Sequence, residues 1–181
     1  MTGPLVVVGD ALLDIDLVGQ AERLCPDAPV PVLDRLVAHP RPGGAALAAA
    51  LAAADGQEVV LVTALGVDDA GRQVEALLGD VRVLRVPYDG PTPVKQRVRS
   101  AGQSLLRLDS GTGGGRIGPA AAEVLTALEH AGAVLVADYG RGTVEAPGIR
   151  PALTRLAPKL PVVWDPHLRG GEPVPGVRLV T

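Results

Sequence analysis

The feature that most constrains this chain is the apolar run Leu5-Val6-Val7-Val8, released at Gly9-Asp10 and echoed further along the sequence. Consecutive apolar, mostly β-branched residues suit a strand covered on both faces, as in the middle of a parallel sheet. Comparable runs stand at Glu58 to Ala64, Val134 to Ala137 and Pro161 to Trp164. Between them lie helix signals: Ala45 to Ala54 closed by Asp55-Gly56, Ala70 to Leu78 behind Asp68 and Asp69, Pro119 to His130, and Gly148 to Leu156. Val81 to Val86 adds a further strand. Strand, acidic or glycine-rich exit, then helix, repeated, predicts an α/β fold with a mostly parallel, doubly wound sheet. Such sheets bind ligands beyond the carboxyl ends of their strands, where Asp10, Asp14, Asp138 and Asp165 fall.

Two stretches do not fit that alternation. Pro26, Pro29 and Pro31 exclude helix and predict an extended, outlying flap through about Leu36, after a polar turn at Gly19-Gln20. Val94 to Arg99 and Ser104 to Asp109 alternate in polarity and predict an antiparallel hairpin, with Lys95, Arg97 and Arg99 on one face. Arg107 can join that face from the second strand. Forked arginine donors suit a phosphate-bearing ligand, and an exposed charged face accounts for the pattern equally well. Asp14 and Asp16 point the same way if their strand continues to Leu17, which suits hydrogen bonds to sugar hydroxyls. Arg41-Pro42-Gly43-Gly44, just before the alanine-rich helix, reads as a backbone platform open to an anion or a polar sugar edge.

Composition removes several classes of function. The 181 residues hold 47% apolar side chains but only 2% aromatic ones, so base stacking has little material. The formal net charge is -3 and the basic residues are scattered, which argues against nucleic acid as a partner. No run approaches a membrane span and no signal peptide opens the chain, so the cytoplasm is the expected location. Cys25 is the single cysteine, and His39, His130 and His167 lack ligand spacing, so no metal site is expected. Gly113 to Gly118 formally matches the dinucleotide pattern, yet it follows a polar hairpin and not a first buried strand, which favours a flexible joint over an NAD site.

Taken in order, several segments resemble a known family. Gly9-Asp10-Ala11-Leu12-Leu13-Asp14, Arg23 to Val32, Arg41 to Ala46, Pro91 to Arg97, Gln103 to Asp109, Asp138 to Gly142 and Asp165-Pro166-His167 are similar to the ribokinase-like (PfkB-type) carbohydrate kinases. Within that family they resemble the bacterial D-glycero-β-D-manno-heptose-7-phosphate kinase branch, across essentially the whole chain. The resemblance implies a Rossmann-type, mostly parallel sheet flanked by helices, with a small β lid from segments at about 16–40 and 92–109. It implies ATP- and Mg2+-dependent phosphorylation of a heptose 7-phosphate, or a related sugar or cyclitol phosphate, and a homodimer formed through the lid. By position, Asp14, Asp16, Gly43, Gly44, Lys95, Arg97, Arg107 and Asp138 are the implied substrate-binding residues.

The resemblance has departures. Leu47 and Leu51 stand where the branch carries asparagines, and leucine neither donates nor accepts a hydrogen bond. Arg141 and His167 stand where lysine is usual, and Cys25 where serine is usual. The 181 residues contain no Gly-Ala-Gly-Asp segment, the family's anion hole and general base. The chain is therefore expected to be the N-terminal portion of a kinase domain, spanning 1–181, inactive alone and holding no ATP or Mg2+ by itself. A non-catalytic sugar-phosphate-binding or interaction protein is the alternative.

Overall fold

The computed structural model describes residues 3–181. Two sheets organise it. The larger is built from β1 (Leu5–Gly9), β4 (Val59–Ala64), β5 (Arg82–Val86), β8 (Ala133–Ala137), β9 (Val162–Asp165) and β10 (Leu179–Val180). Its order is β10-β9-β8-β1-β4-β5, and every neighbouring pair is parallel. The apolar run at the start of the chain is thus the central strand it was expected to be. Val6 and Val8 pack on one side with Val62, Val136 and Trp164, while Val7 packs on the other with Leu61. A strand buried on both faces needs no polar alternation.

Helices cover both faces. α1 (Ala45–Ala54) and α2 (Asp69–Leu78) contribute Ala45, Ala46, Ala49, Val74 and Leu78 to the Val7 side. α3 (Ala122–Glu129) and α4 (Ile149–Leu156) contribute Val124, Leu128, Ile149, Ala152 and Leu153 to the Val6 side. Small alanine side chains let α1 lie close against the sheet. Asp68 caps α2 by accepting the Gly71 N–H at 2.8 Å.

The second sheet is the lid, ordered β3-β2-β6-β7 from β2 (Ala11–Leu24), β3 (Pro31–Gly44), β6 (Val94–Ser100) and β7 (Gln103–Ser110). β2 pairs antiparallel with β3 and parallel with β6, and β6 pairs antiparallel with β7. The predicted hairpin turns at Ala101-Gly102, both at positive φ, as a two-residue connection requires.

Two local expectations, the turn at Gly19-Gln20 and the helix start at Pro119, are corrected. Gly19-Gln20 lies inside β2 as a register irregularity, because β3 supplies an equally long ladder partner; the chain reverses at 25–30, where Cys25 N–H donates to Val30 O at 2.8 Å. The helix after the glycine-rich segment begins at Ala122, not Pro119, since Ala120 N–H is drawn to Pro147 O. At the sheet edge Leu179 and Val180 form a short strand beside β9. Gly113 to Gly118 joins β7 toward α3 as a loop, with one bridge from Ile117 to Tyr88, so the strand-turn-helix context of a dinucleotide fingerprint is missing.

Candidate functional site

β1 leads almost directly into β2, so one short joint at Asp10 links the core sheet to the lid. Asp10 is 2% exposed and its carboxylate is fully engaged. One oxygen accepts the N–H groups of Tyr139 at 3.0 Å and Arg141 at 2.9 Å, and the other accepts that of Thr143 at 3.0 Å. Its carbonyl accepts Ala45 N–H at 3.1 Å, at the start of α1. Asp10 therefore fastens together the exit of β1, the loop after β8 and the helix that follows the glycine pair. This bracing role was not legible in the sequence, where Asp10 read only as a carboxylate beyond a strand end.

Beyond that joint, ladder register brings the polar lid residues to one face. Asp14 stands beside Lys95 on β6 and Arg41 on β3, Asp16 beside Arg97 and His39, Lys95 opposite Asp109, and Arg97 opposite Arg107. Asp14 is buried and accepts a hydrogen bond from Arg97 Nη1 at 2.8 Å. Gly43 lies against it: a Cβ there would come within 2.6 Å of Asp14 Oδ2. Gly44 has φ 60° and would collide with Asp10 O if it carried a side chain. Asp16 sits between Arg41 Nη2 at 3.9 Å and Arg99 Nη1 at 3.8 Å, and its Oδ1 has no hydrogen-bond partner.

Between this face and the carboxyl ends of the core strands lies a cleft of ≈ 450 Å³. Lys95 and Arg107 line it from the lid, Asp10 and Ala11 from the joint, and Tyr139, Arg141, His167 and Arg169 from the loops after β8 and β9. Lys95 Nζ stands 5.9 Å from the centre of the Tyr139 ring. Burial, with repulsion from Arg107 and Arg141, pushes the Lys95 pKa below the ordinary lysine value despite attraction from Asp14. Arg107 is held by Asp109 through two contacts, at 2.8 and 2.5 Å.

Asp138 is placed differently from the other residues singled out. It is buried, one oxygen accepts Gly140 N–H at 2.9 Å and the other Gly171 N–H at 3.1 Å, and it does not line the cleft. Burial raises its pKa above the usual carboxylate value, against the two hydrogen bonds. Its geometry is that of a tie between two loops. Among the described residues no group of three or more His, Cys, Asp or Glu converges as metal ligands, and nothing here is assigned to hold a metal. The departure at α1 is visible too: Leu51 is 59% exposed.

A parallel core sheet with helices on both faces, a lid sheet hinged at the end of its central strand and a charged cleft between them define the ribokinase-like fold. Solved structures share it: ribokinase from Arabidopsis thaliana, complexed with ribose and ATP, superposes with a TM-score of 0.66 at 23% identity, over 99% of this chain and 60% of that one. A carbohydrate kinase from Agrobacterium tumefaciens gives 0.64 at 18% identity, over 91% and 54%. No family model matches the sequence. Among curated proteins, the bifunctional protein HldE of Streptomyces coelicolor is 53% identical over 179 residues, which is 98% of this chain and 37% of that protein. HldE of Escherichia coli O9:H4 is 37% identical over 183 residues, 98% of this chain and 38% of that protein. The chain has the ribokinase-like fold and is similar over 98% of its length to a portion of the HldE proteins, spanning a little over a third of their length.

Proposed function

We propose that this chain is the acceptor-binding, lid-bearing part of a sugar kinase whose acceptor is a heptose 7-phosphate or a related sugar or cyclitol phosphate. One observation carries the reading: the ladder register sets Asp14, Lys95, Arg97 and Arg107 on a single lid face beside the strand-end cleft. Asp14, held by Arg97, is the acceptor for sugar hydroxyls; Gly43 leaves room beside it, and Gly44 sets the entry to α1. Lys95 and Arg107 supply positive charge for the phosphate already on the acceptor.

Phosphate would come from Mg-ATP, which supplies the electrophilic phosphoryl group and its charge neutralisation. The residues described here hold the acceptor and exclude water from it; phosphoryl transfer depends on positioning and on an anion cradle. The sequence has no Gly-Ala-Gly-Asp segment, so these 181 residues bind acceptor without turning it over. We further propose a second copy of the chain as the cover for the outer lid face, where Leu106 and Leu108 are 53% and 45% exposed on the side opposite Lys95. No helix among the described residues is long and apolar enough to cross a membrane, in keeping with a cytoplasmic site of action.

Calorimetric titration with D-glycero-β-D-manno-heptose 7-phosphate, run beside an ATP-coupled turnover assay, tests the proposal. Saturable binding without turnover supports it. Turnover by the 181 residues alone would overturn the division of labour, and absence of any sugar-phosphate binding would overturn the acceptor assignment.

A further inference from the structure

The end of the core sheet away from the cleft carries a second recess. α1, α2 and α3 each return the chain to the start of a parallel strand, β4, β5 and β8, so all three helices finish at this end. Their ends enclose an open groove of ≈ 1170 Å³, more than a single small ligand fills. Its walls are apolar and mostly small: Ala50, Ala53 and Ala54 on α1, Leu77 on α2, Ala127 on α3 and Pro4 before β1. The strands meet the groove end-on, at Val59 and Arg82, so it presents no sheet edge for an extended peptide to join.

The apolar surface continues past the groove. α1 is alanine and leucine throughout, a composition that calls for burial on every side, yet Leu51 is 59% exposed one turn before Ala54, and Leu77 is 37% exposed. The electrostatics are one-sided. Arg82 is the one Lys or Arg in the lining, and Glu123 takes it up at 2.6 Å. His130 Nδ1 meets Thr126 O at 2.8 Å. Glu58 and Asp80 also line the groove, and neither forms an ion pair among the described residues. No basic residue stands in the last turn of α1, α2 or α3, so the negative ends of three helix dipoles, about half a charge each, add to those carboxylates.

We infer that this groove docks a basic amphipathic helix of a partner protein, its apolar side chains at helical spacing against the alanine walls and its Lys or Arg side chains beside Glu58, Asp80 and the three helix ends. Charge complementarity selects that occupant. Small wall residues let the axis of an incoming helix approach closely. A second copy of this chain is a poor match. α4 is its basic helix, with Arg150 and Arg155, and buries its own apolar residues Ile149, Ala152, Leu153 and Leu156 in the core. α1 carries no charge, and α2 and α3 carry more acidic than basic side chains. The groove lies at the opposite end of the sheet from the acceptor cleft, so the inference stands apart from the acceptor reading.

The probe is a fluorescein-labelled synthetic peptide of leucine and lysine, about four helical turns long, with leucine at helical spacing. Two comparison peptides go beside it: one of the same composition in strict alternation, and one with glutamate for lysine. Fluorescence anisotropy with the full 181-residue chain measures affinity, and amide chemical shifts of the isotope-labelled chain locate the site. The expected result is saturable binding of the first peptide, at least about tenfold tighter than either comparison, with shifts at Ala53, Leu77 and Asp80. The double variant Glu58→Gln, Asp80→Asn and the single variant Ala54→Arg, all at exposed positions, should each cut that affinity by at least about fivefold. Should Ala54→Arg melt early by circular dichroism, Leu77→Lys replaces it. Equal binding of the alternating peptide, no binding, shifts that lie elsewhere, or affinity that survives the variants overturns the inference. Sedimentation that shows self-association, with concentration-dependent shifts at Ala53 and Leu77, gives the groove to a second copy and overturns the partner helix. Each of these results leaves the acceptor reading standing.

Discussion

Asp14 on β2 accepts a hydrogen bond from Arg97 Nη1 on β6 at 2.8 Å, a pair whose side chains are 11% and 31% exposed. It joins the strand that leaves the core to the hairpin that carries Lys95. Asp14→Asn removes the charge and keeps the shape, so it should weaken sugar-phosphate binding by about tenfold while costing about 1–2 kcal/mol of stability, because Arg97 is left half-buried without its counterion. Calorimetry and chemical denaturation measure the two effects separately.

The glycine pair should divide into a binding effect and a folding effect. Gly43→Ala places a methyl group against Leu12 Cδ1 and Asp14 Oδ2, and its main result should be lost affinity through a displaced carboxylate. Gly44→Ala forces a side chain onto φ 60° against Asp10 O, and should cost about 2–4 kcal/mol. Equal denaturation midpoints for the two variants would refute the division.

Lys95 gives a pH signature. Its folded pKa lies below the ordinary lysine value, so the folded protein releases this proton before the unfolded chain does. Between the two pKa values the unfolded state binds more protons, and the Lys95 contribution makes stability rise with pH across that window. Anion affinity runs the other way: the cation is what binds, so affinity should fall as pH climbs through the lowered pKa. Lys95→Gln should abolish that fall, as followed by phosphate titrations at a series of pH values.

The lid strand is latched to the core at Asp68, which accepts Thr92 N–H at 2.7 Å as well as the helix cap from Gly71. Burial opposes ionisation there, but the Thr92 and Gly71 hydrogen bonds outweigh it and the pKa is lowered. For a depressed carboxylate the stabilisation is complete above its unfolded pKa and is lost as pH falls through the folded value. Asp68→Ala should speed amide hydrogen exchange through 94–110 more than through β1 and β4. Uniform acceleration would mean that the residue serves the whole fold and not the lid.

The central sheet and the lid face were legible because both are written in periodic patterns. Val6, Val7 and Val8 announce a strand buried twice over, and the alternation of Lys95, Arg97 and Arg99 announces a one-sided hairpin. Asp14 and Asp16 could be placed on one face from spacing alone. Gly19-Gln20 misled because its composition is that of a turn, while the ladder partner that straightens it lies across a hairpin. The Asp10 and Asp138 ties, and the gathering of Arg141 with Arg169, had no local signal. They join loops after different parallel strands, whose proximity is set only when β1, β8 and β9 pair. Asp138 read as a ligand residue for the same reason: a buried carboxylate beyond a strand end looks alike whether it meets a substrate or a neighbouring loop.

The most direct test of the whole account is a titration of the isotope-labelled chain with D-glycero-β-D-manno-heptose 7-phosphate, followed by amide chemical shifts. Saturable shifts that appear together at Asp14, Gly43, Lys95 and Arg107 are the predicted outcome. Shifts confined to the ≈ 1170 Å³ groove at the opposite end of the sheet, around Ala53, Leu77 and His130, would contradict it.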